Sequence, residues 1–146
     1  AASGDAIFDA AAGGTGFLLR SAVRTGIRST ATNTAEVGFS SFNAFKKANG
    51  PAGAGQAWHH IVEQGVNVGR FGPEVIHNSS NLIKLPHGAG SIHNRISGFY
   101  SSKQAFSEGL TVRNWLSSQP YQKQFDFGVQ TIKRLGGSQY LPSHLR

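Results

Sequence analysis

Apolar residues recur at helical spacing through much of this chain and cluster into short β-rich runs at two places only. Near the start, Ile7, Phe8 and Ala11, then Phe17, Leu18 and Val23, predict two short helices or one kinked helix over 5–28. Gly13 and Gly14 interrupt that run, each costing roughly 1 kcal/mol inside a helix. Residues 29–56 are rich in Ser, Thr, Asn, Gly and Ala and read as a loop or linker, with one short helix around 35–47. The first β-rich run, Trp58-His59-His60-Ile61-Val62, predicts a strand, and Asn81-Leu82-Ile83-Lys84-Leu85 predicts a second, stopped by Pro86. The segment 65–73 between them reads as a loop anchored by Asn67 and Arg70.

The pattern after the second strand is helical. His87-Gly88-Ala89-Gly90 is a flexible link, and Ser91 is suited to cap a helix reaching about Tyr100. Thr111 suits the cap of a helix that buries Val112, Trp115 and Leu116. Pro120 fits the first turn of another helix, where Tyr121, Phe125, Val129 and Ile132 share one face. That aromatic stripe reads as core. Lys133 and Arg134 complement the helix dipole in its last turn, and Gly136-Gly137 ends it. The fold class expected is α+β: a mostly helical domain around a small ββα motif, a two-stranded hairpin plus helix. Two regions follow, a Gly/Ala-rich N-terminal segment with short helices over 1–56 and the domain proper over 57–146.

Composition narrows the partners. Fourteen Lys+Arg against seven Asp+Glu give a net charge of +7 and a pI near 10.3. That balance favours an anionic partner: nucleic acid, an anionic membrane or an acidic protein. With no cysteine, disulfides, thiolate metal sites and cysteine nucleophiles are excluded. Nothing approaches the ~18–20 apolar residues that span a bilayer. The run Gly16-Phe17-Leu18-Leu19 stops at Arg20, too short for a signal-peptide core. A soluble chain with no membrane insertion is expected. The start at Ala1 and the lack of methionine suggest a processed or excised chain.

Five of the six histidines lie between His59 and His93, and this cluster carries the candidate chemistry. Phosphodiester hydrolysis needs a base to take a proton from water, charge stabilisation at phosphorus and neutralisation of the leaving oxygen. A neutral imidazole supplies the first and a divalent metal the other two. Adjacent strand residues face opposite ways, so His59 and His60 divide the work: one faces a metal, the other the scissile phosphate. His87 and His93 are further ligand candidates. Six apart, they stand about 240° around a helix, so joint ligation requires His87 before the helix and His93 in its first turn. Asn81 opens the second strand, where its amide can bind loop backbone and set the tilt of the His-His strand. A lone histidine is ordinarily a surface or satisfied core residue; His77 and His144 are read as surface histidines, and Asn78 as a turn residue. Arg70, Lys84, Arg95 and Lys103 are candidate phosphate contacts, with weak sequence selectivity and strong salt dependence expected.

The segments Ala57-Trp58-His59-His60-Ile61-Val62-Glu63-Gln64, Ile76-His77-Asn78-Ser79-Ser80-Asn81-Leu82-Ile83 and Pro86-His87 through Ile92-His93 resemble the HNH/ββα-metal (His-Me finger) nucleases. The closest likeness is to the His-His (WHH/AHH-like) subgroup found as C-terminal toxin domains of bacterial polymorphic toxins, notably Rhs-type proteins. Gly98-Phe99-Tyr100-Ser101-Ser102 and Thr111-Val112-Arg113-Asn114-Trp115-Leu116 extend the likeness, which covers 57 to about 135. The resemblance implies that His59 is a metal ligand, His60 the general base, Asn81 the central asparagine that orients the metal loop, and His93 the helix-borne ligand. His87 is the second ligand on that reading, although the spacing after Asn81 departs from the usual four-residue helical pair; in some relatives the final ligand is an asparagine, which makes Asn94 a minor candidate. The resemblance further implies a DNA endonuclease using a divalent metal ion: Mg2+ first, with Zn2+, Mn2+ or Ni2+ as alternatives. A larger Rhs-type parent protein would deliver it into the cytoplasm of a target bacterial cell, and an acidic cognate immunity protein would protect the producer. The alternatives are an RNase toxin of the same fold and a non-catalytic basic nucleic-acid-binding or protein-interaction module.

Overall fold

A computed structural model describes residues 36–146, so the helices expected over 5–28 lie outside the described residues. The fold is α+β, with six α-helices and one two-stranded antiparallel sheet among the described residues. In chain order these are α1 (Phe42–Asn49), β1 (Gln56–His60), α2 (Val66–Phe71), α3 (Pro73–Ile76), β2 (Leu82–Pro86), α4 (Ile92–Ser101), α5 (Val112–Leu116) and α6 (Tyr121–Arg134). Among the described residues no helix is long and apolar enough to cross a membrane.

The described residues form two compact units that do not follow a single cut between 56 and 57. One joins 36–50 to 63–82, and the other joins 51–62 to 83–146. In the first unit, Ser41 caps α1 by accepting from the Ala44 amide at 3.0 Å. Phe45 buries on the inner side of α1, edge-on to Phe39 at 5.5 Å. The segment 65–73, expected as a loop, instead forms α2 and the start of α3. Val66, Val68 and Gly69 are weak helix formers. A local bond helps hold α2: Asn67 is buried, with its Nδ2 donating to the Glu63 carbonyl, four residues back, at 2.9 Å. Gly72, at φ 94°, turns the chain, and Pro73 opens α3. The helix expected around 35–47 begins later, at Phe42, because Ser41 supplies the cap.

His77 also departs from expectation. It is buried, 5% exposed, with its ring stacked on Phe42 at 6.1 Å and its carbonyl accepting from the Phe39 amide at 2.9 Å. Burial lowers its pKa, against a smaller upward pull from Glu74. His144 is exposed, as read from sequence, and Asn78 caps the turn at Ser79–Asn81.

The second unit carries the main core. Ile83 and Leu85 of β2 pack with Ile92, Ile96 and Tyr100 of α4, Val112 and Leu116 of α5, and Val129 and Ile132 of α6. Ser91 caps α4 by accepting from the Asn94 amide, and Thr111 caps α5 by accepting from the Asn114 amide, each at 3.1 Å. Pro120 precedes α6, whose Val129 and Ile132 lie fully within the core and whose Phe125 packs against it, while half-buried Tyr121 stacks on Phe125. β1 begins two residues earlier than its β-rich run, and Ile61 beyond its end joins the core.

α6 reaches β1 through a residue without a side chain. A Cβ on Gly128 would stand 2.7 Å from the Ile61 carbonyl oxygen and 2.9 Å from Ile61 Cγ2. Backbone cannot give way there as a flexible side chain would, so the helix must move off the residue that follows His60.

Two outcomes are expected. Gly128→Ala lowers stability by about 1–3 kcal/mol, the usual cost of overpacking, although alanine is the better helix former; urea denaturation checks this. For His77, a lowered pKa means that the neutral ring is the folded form. Its contribution is intact above the ordinary value of 6.5 and is lost as the pH falls below it. The unfolding midpoint of His77→Gln therefore drops less than that of the native chain between about pH 7 and about pH 5.

Candidate functional site

β1 ends in the histidine pair, and both rings are buried: His59 is 8% exposed and His60 6%. The register of the sheet follows from the His87 amide, which donates to the Gly55 carbonyl at 3.0 Å. In an antiparallel pair this sets His87 opposite Gly55, Lys84 opposite Trp58 and Ile83 opposite His59. Opposed residues share a face, so His59 lies on the side of Ile83 and Leu85, the side that packs against α4. Trp58, His60 and Lys84 lie on the other face.

α4 brings the second imidazole. Its cap at Ser91 makes His93 the second residue of the helix, within the first turn. The rings of His59 and His93 meet at right angles with centroids 5.4 Å apart. Burial, followed by the nearby His93 and His60 imidazoles, lowers the His59 pKa to about 3. His59 is therefore neutral across the physiological range, which leaves one of its ring nitrogens with a lone pair for a cation. Two imidazoles on strand and helix suit a divalent transition metal completed by water and substrate oxygens.

His87 is not brought to this pair. It is exposed, and its backbone is level with Gly55, four residues along the ribbon from the level of His59, or roughly 13 Å. The reason is the register, which spends the whole of β2 between His87 and the histidine pair. Among the described residues no group of three or more His, Cys, Asp or Glu side chains could hold a metal ion. Asn94 caps nothing with its own side chain and is exposed.

Asn81 belongs to the first unit and does not open β2; it closes the turn before it, fully buried. Its Nδ2 donates to the Ile76 carbonyl at 2.9 Å, and its amide donates to the Asn78 carbonyl at 2.8 Å. The side chain thus ties the end of α3 to the turn that precedes β2.

The candidate phosphate contacts separate. Lys84 is exposed, with Nζ 5.2 Å from the Trp58 ring centroid. Arg95 stands about 200° around α4 from His93, and its Nη2 donates to the Leu135 carbonyl at 3.1 Å. It closes the C-terminal end of α6 instead of facing the histidines. Lys103 is exposed just beyond the C-terminal end of α4, roughly 15 Å along the axis from His93. Arg70 is in the first unit, over the Phe71 ring at 4.7 Å. Trp58 is the side chain that sequence reasoning passed over. Its position two residues before His60 already implied a shared face; its partner Lys84 needed the register.

Comparison with protein-family models, with curated proteins and with solved structures finds no match to this chain.

Replacing Asn81 by alanine leaves the Ile76 carbonyl buried and unpaired. A loss of about 1–3 kcal/mol is expected, measured by chemical denaturation.

Proposed function

We propose that this chain is a metal-dependent endonuclease that hydrolyses phosphodiester bonds of DNA with little sequence specificity. The observation that carries the reading is the perpendicular approach of His59 from β1 and His93 from α4, with His60 as the next residue on the opposite face. His59 and His93 would hold the divalent ion, and that ion would neutralise charge at phosphorus and on the leaving oxygen. His60, set apart from the metal pair by strand alternation, accepts the proton of the attacking water at a ring nitrogen. Burial of both rings of the pair limits competing water and fixes their orientation.

The residue pattern at 57–93 extends this proposal to a polymorphic-toxin nuclease domain, delivered by a larger parent protein and blocked by an immunity protein. The charge of +7 makes that inhibitor acidic by complementarity. DNA is held chiefly through its phosphates, so binding weakens steeply with salt.

Plasmid DNA or RNA incubated with the chain and Mg2+, Mn2+, Zn2+ or Ni2+ tests the reading. Nicking of DNA that EDTA abolishes is expected. His60→Ala lowers the cleavage rate by about 10²–10⁴ while metal binding persists in calorimetry, whereas His59→Ala and His93→Ala lose the metal. Loss of metal in His60→Ala would reverse the two roles. Cleavage of RNA alone would make the chain an RNase. Binding without cleavage under every metal would make it a basic binding module.

A further inference from the structure

We propose that Trp58 and Lys84 form a subsite for an unpaired nucleobase next to the phosphate presented to His60, so that the preferred substrate is single-stranded or opened at the cut. The phosphate part of this statement rests on the nuclease reading; the subsite rests on the sheet. Trp58 and His60 are two residues apart on β1 and share a face, roughly 6.6 Å from each other along the strand. Lys84 is directly opposite Trp58, and its ammonium lies 5.2 Å from the indole centroid. Trp58 is half-buried and so anchored, while Lys84 is exposed and breaks an otherwise buried run in β2.

A cross-strand Lys–Trp pair is often no more than a solvated surface contact. Here it adjoins a buried imidazole on the same face, in a strongly basic chain. An ammonium at the solvent edge of a half-buried ring is weakly held, and a phosphate oxygen is a better partner for it. Lys84 turning to a phosphate opens the part of the indole that the ammonium covers, and the base of the same nucleotide can then stack there. Bases inside a duplex are already stacked on one another, so only an unpaired base has a face to offer. Every base has such a face, so the subsite selects strand state with little regard to sequence.

Binding in EDTA, where no cleavage is expected, tests the subsite with two readouts: tryptophan fluorescence, and anisotropy of labelled oligothymidylate, oligouridylate and a blunt DNA duplex. Either oligonucleotide quenches the native chain, the duplex does not, and comparing the two shows which sugar is preferred. Trp58→Phe keeps a ring and most of the affinity but loses the quench, since Trp115 alone remains to report. Trp58→Leu and Lys84→Ala each weaken oligonucleotide binding about tenfold, and Lys84→Ala lowers the salt slope by about one phosphate. Circular dichroism shows whether each variant is folded. A quench that persists in Trp58→Phe would overturn the subsite, as would equal affinity for strand and duplex with Trp58→Leu unchanged. With Mg2+, unchanged ratios of single- to double-strand cleavage in these variants would overturn it while leaving the nuclease reading intact. Quench and tenfold losses in a chain inert with every metal would support the subsite and overturn the nuclease reading.

Discussion

The alternation of side chains along β1 is the constraint on which the histidine site depends. Consecutive strand residues must face opposite ways, so an adjacent pair cannot converge on one ion. The face shared with Ile83 and Leu85 belongs to the core, and it delivers His59 to α4. The other face keeps Trp58, His60 and Lys84 together. A shift of one residue in register would exchange the two faces and dissolve both arrangements. Burial then sets the chemistry of the inner ring: His59 can hardly be charged where it stands, and its two imidazole neighbours add to that cost.

The helices serve this ribbon by holding its two ends. α4 starts sharply at Ser91, so that His93 falls in the first turn and not further down the helix. α6 approaches the chain just past His60 so closely that a glycine is required at 128. Arg95 fastens α4 to the carbonyl of Leu135, which caps the C-terminal end of α6. A cation near a candidate-site histidine in sequence can thus be a structural clamp, because helical geometry turns residues two apart to nearly opposite sides.

The connection from β1 to β2 forms one compact unit with 36–50 and does not behave as a loop. Its helices are short and poor in strong helix formers, so local propensity gives little warning of them. They are held by buried polar side chains that satisfy backbone: Asn67 on Glu63 and Asn81 on Ile76. His77, stacked on Phe42, shows the same burial of a polar residue that composition would place outside.

Much of the architecture is written in local chemistry. The caps at Ser91 and Thr111, the helix start at Pro120, the apolar stripe of α6 and the strand that carries the histidine pair all follow from side-chain type and spacing, because each depends on interactions within one turn or one strand. The division of His59 from His60 is of the same kind, since period two is a property of the strand alone. Residues far apart in sequence met or missed one another for reasons that only tertiary structure supplies. The Gly55–His87 register carried His87 away from the pair and set Lys84 on Trp58, and the approach of α4 to the sheet brought His93 to His59. Spacing along a chain measures local geometry; which imidazoles converge is decided by register and packing, and those depend on every residue that fills the core between them.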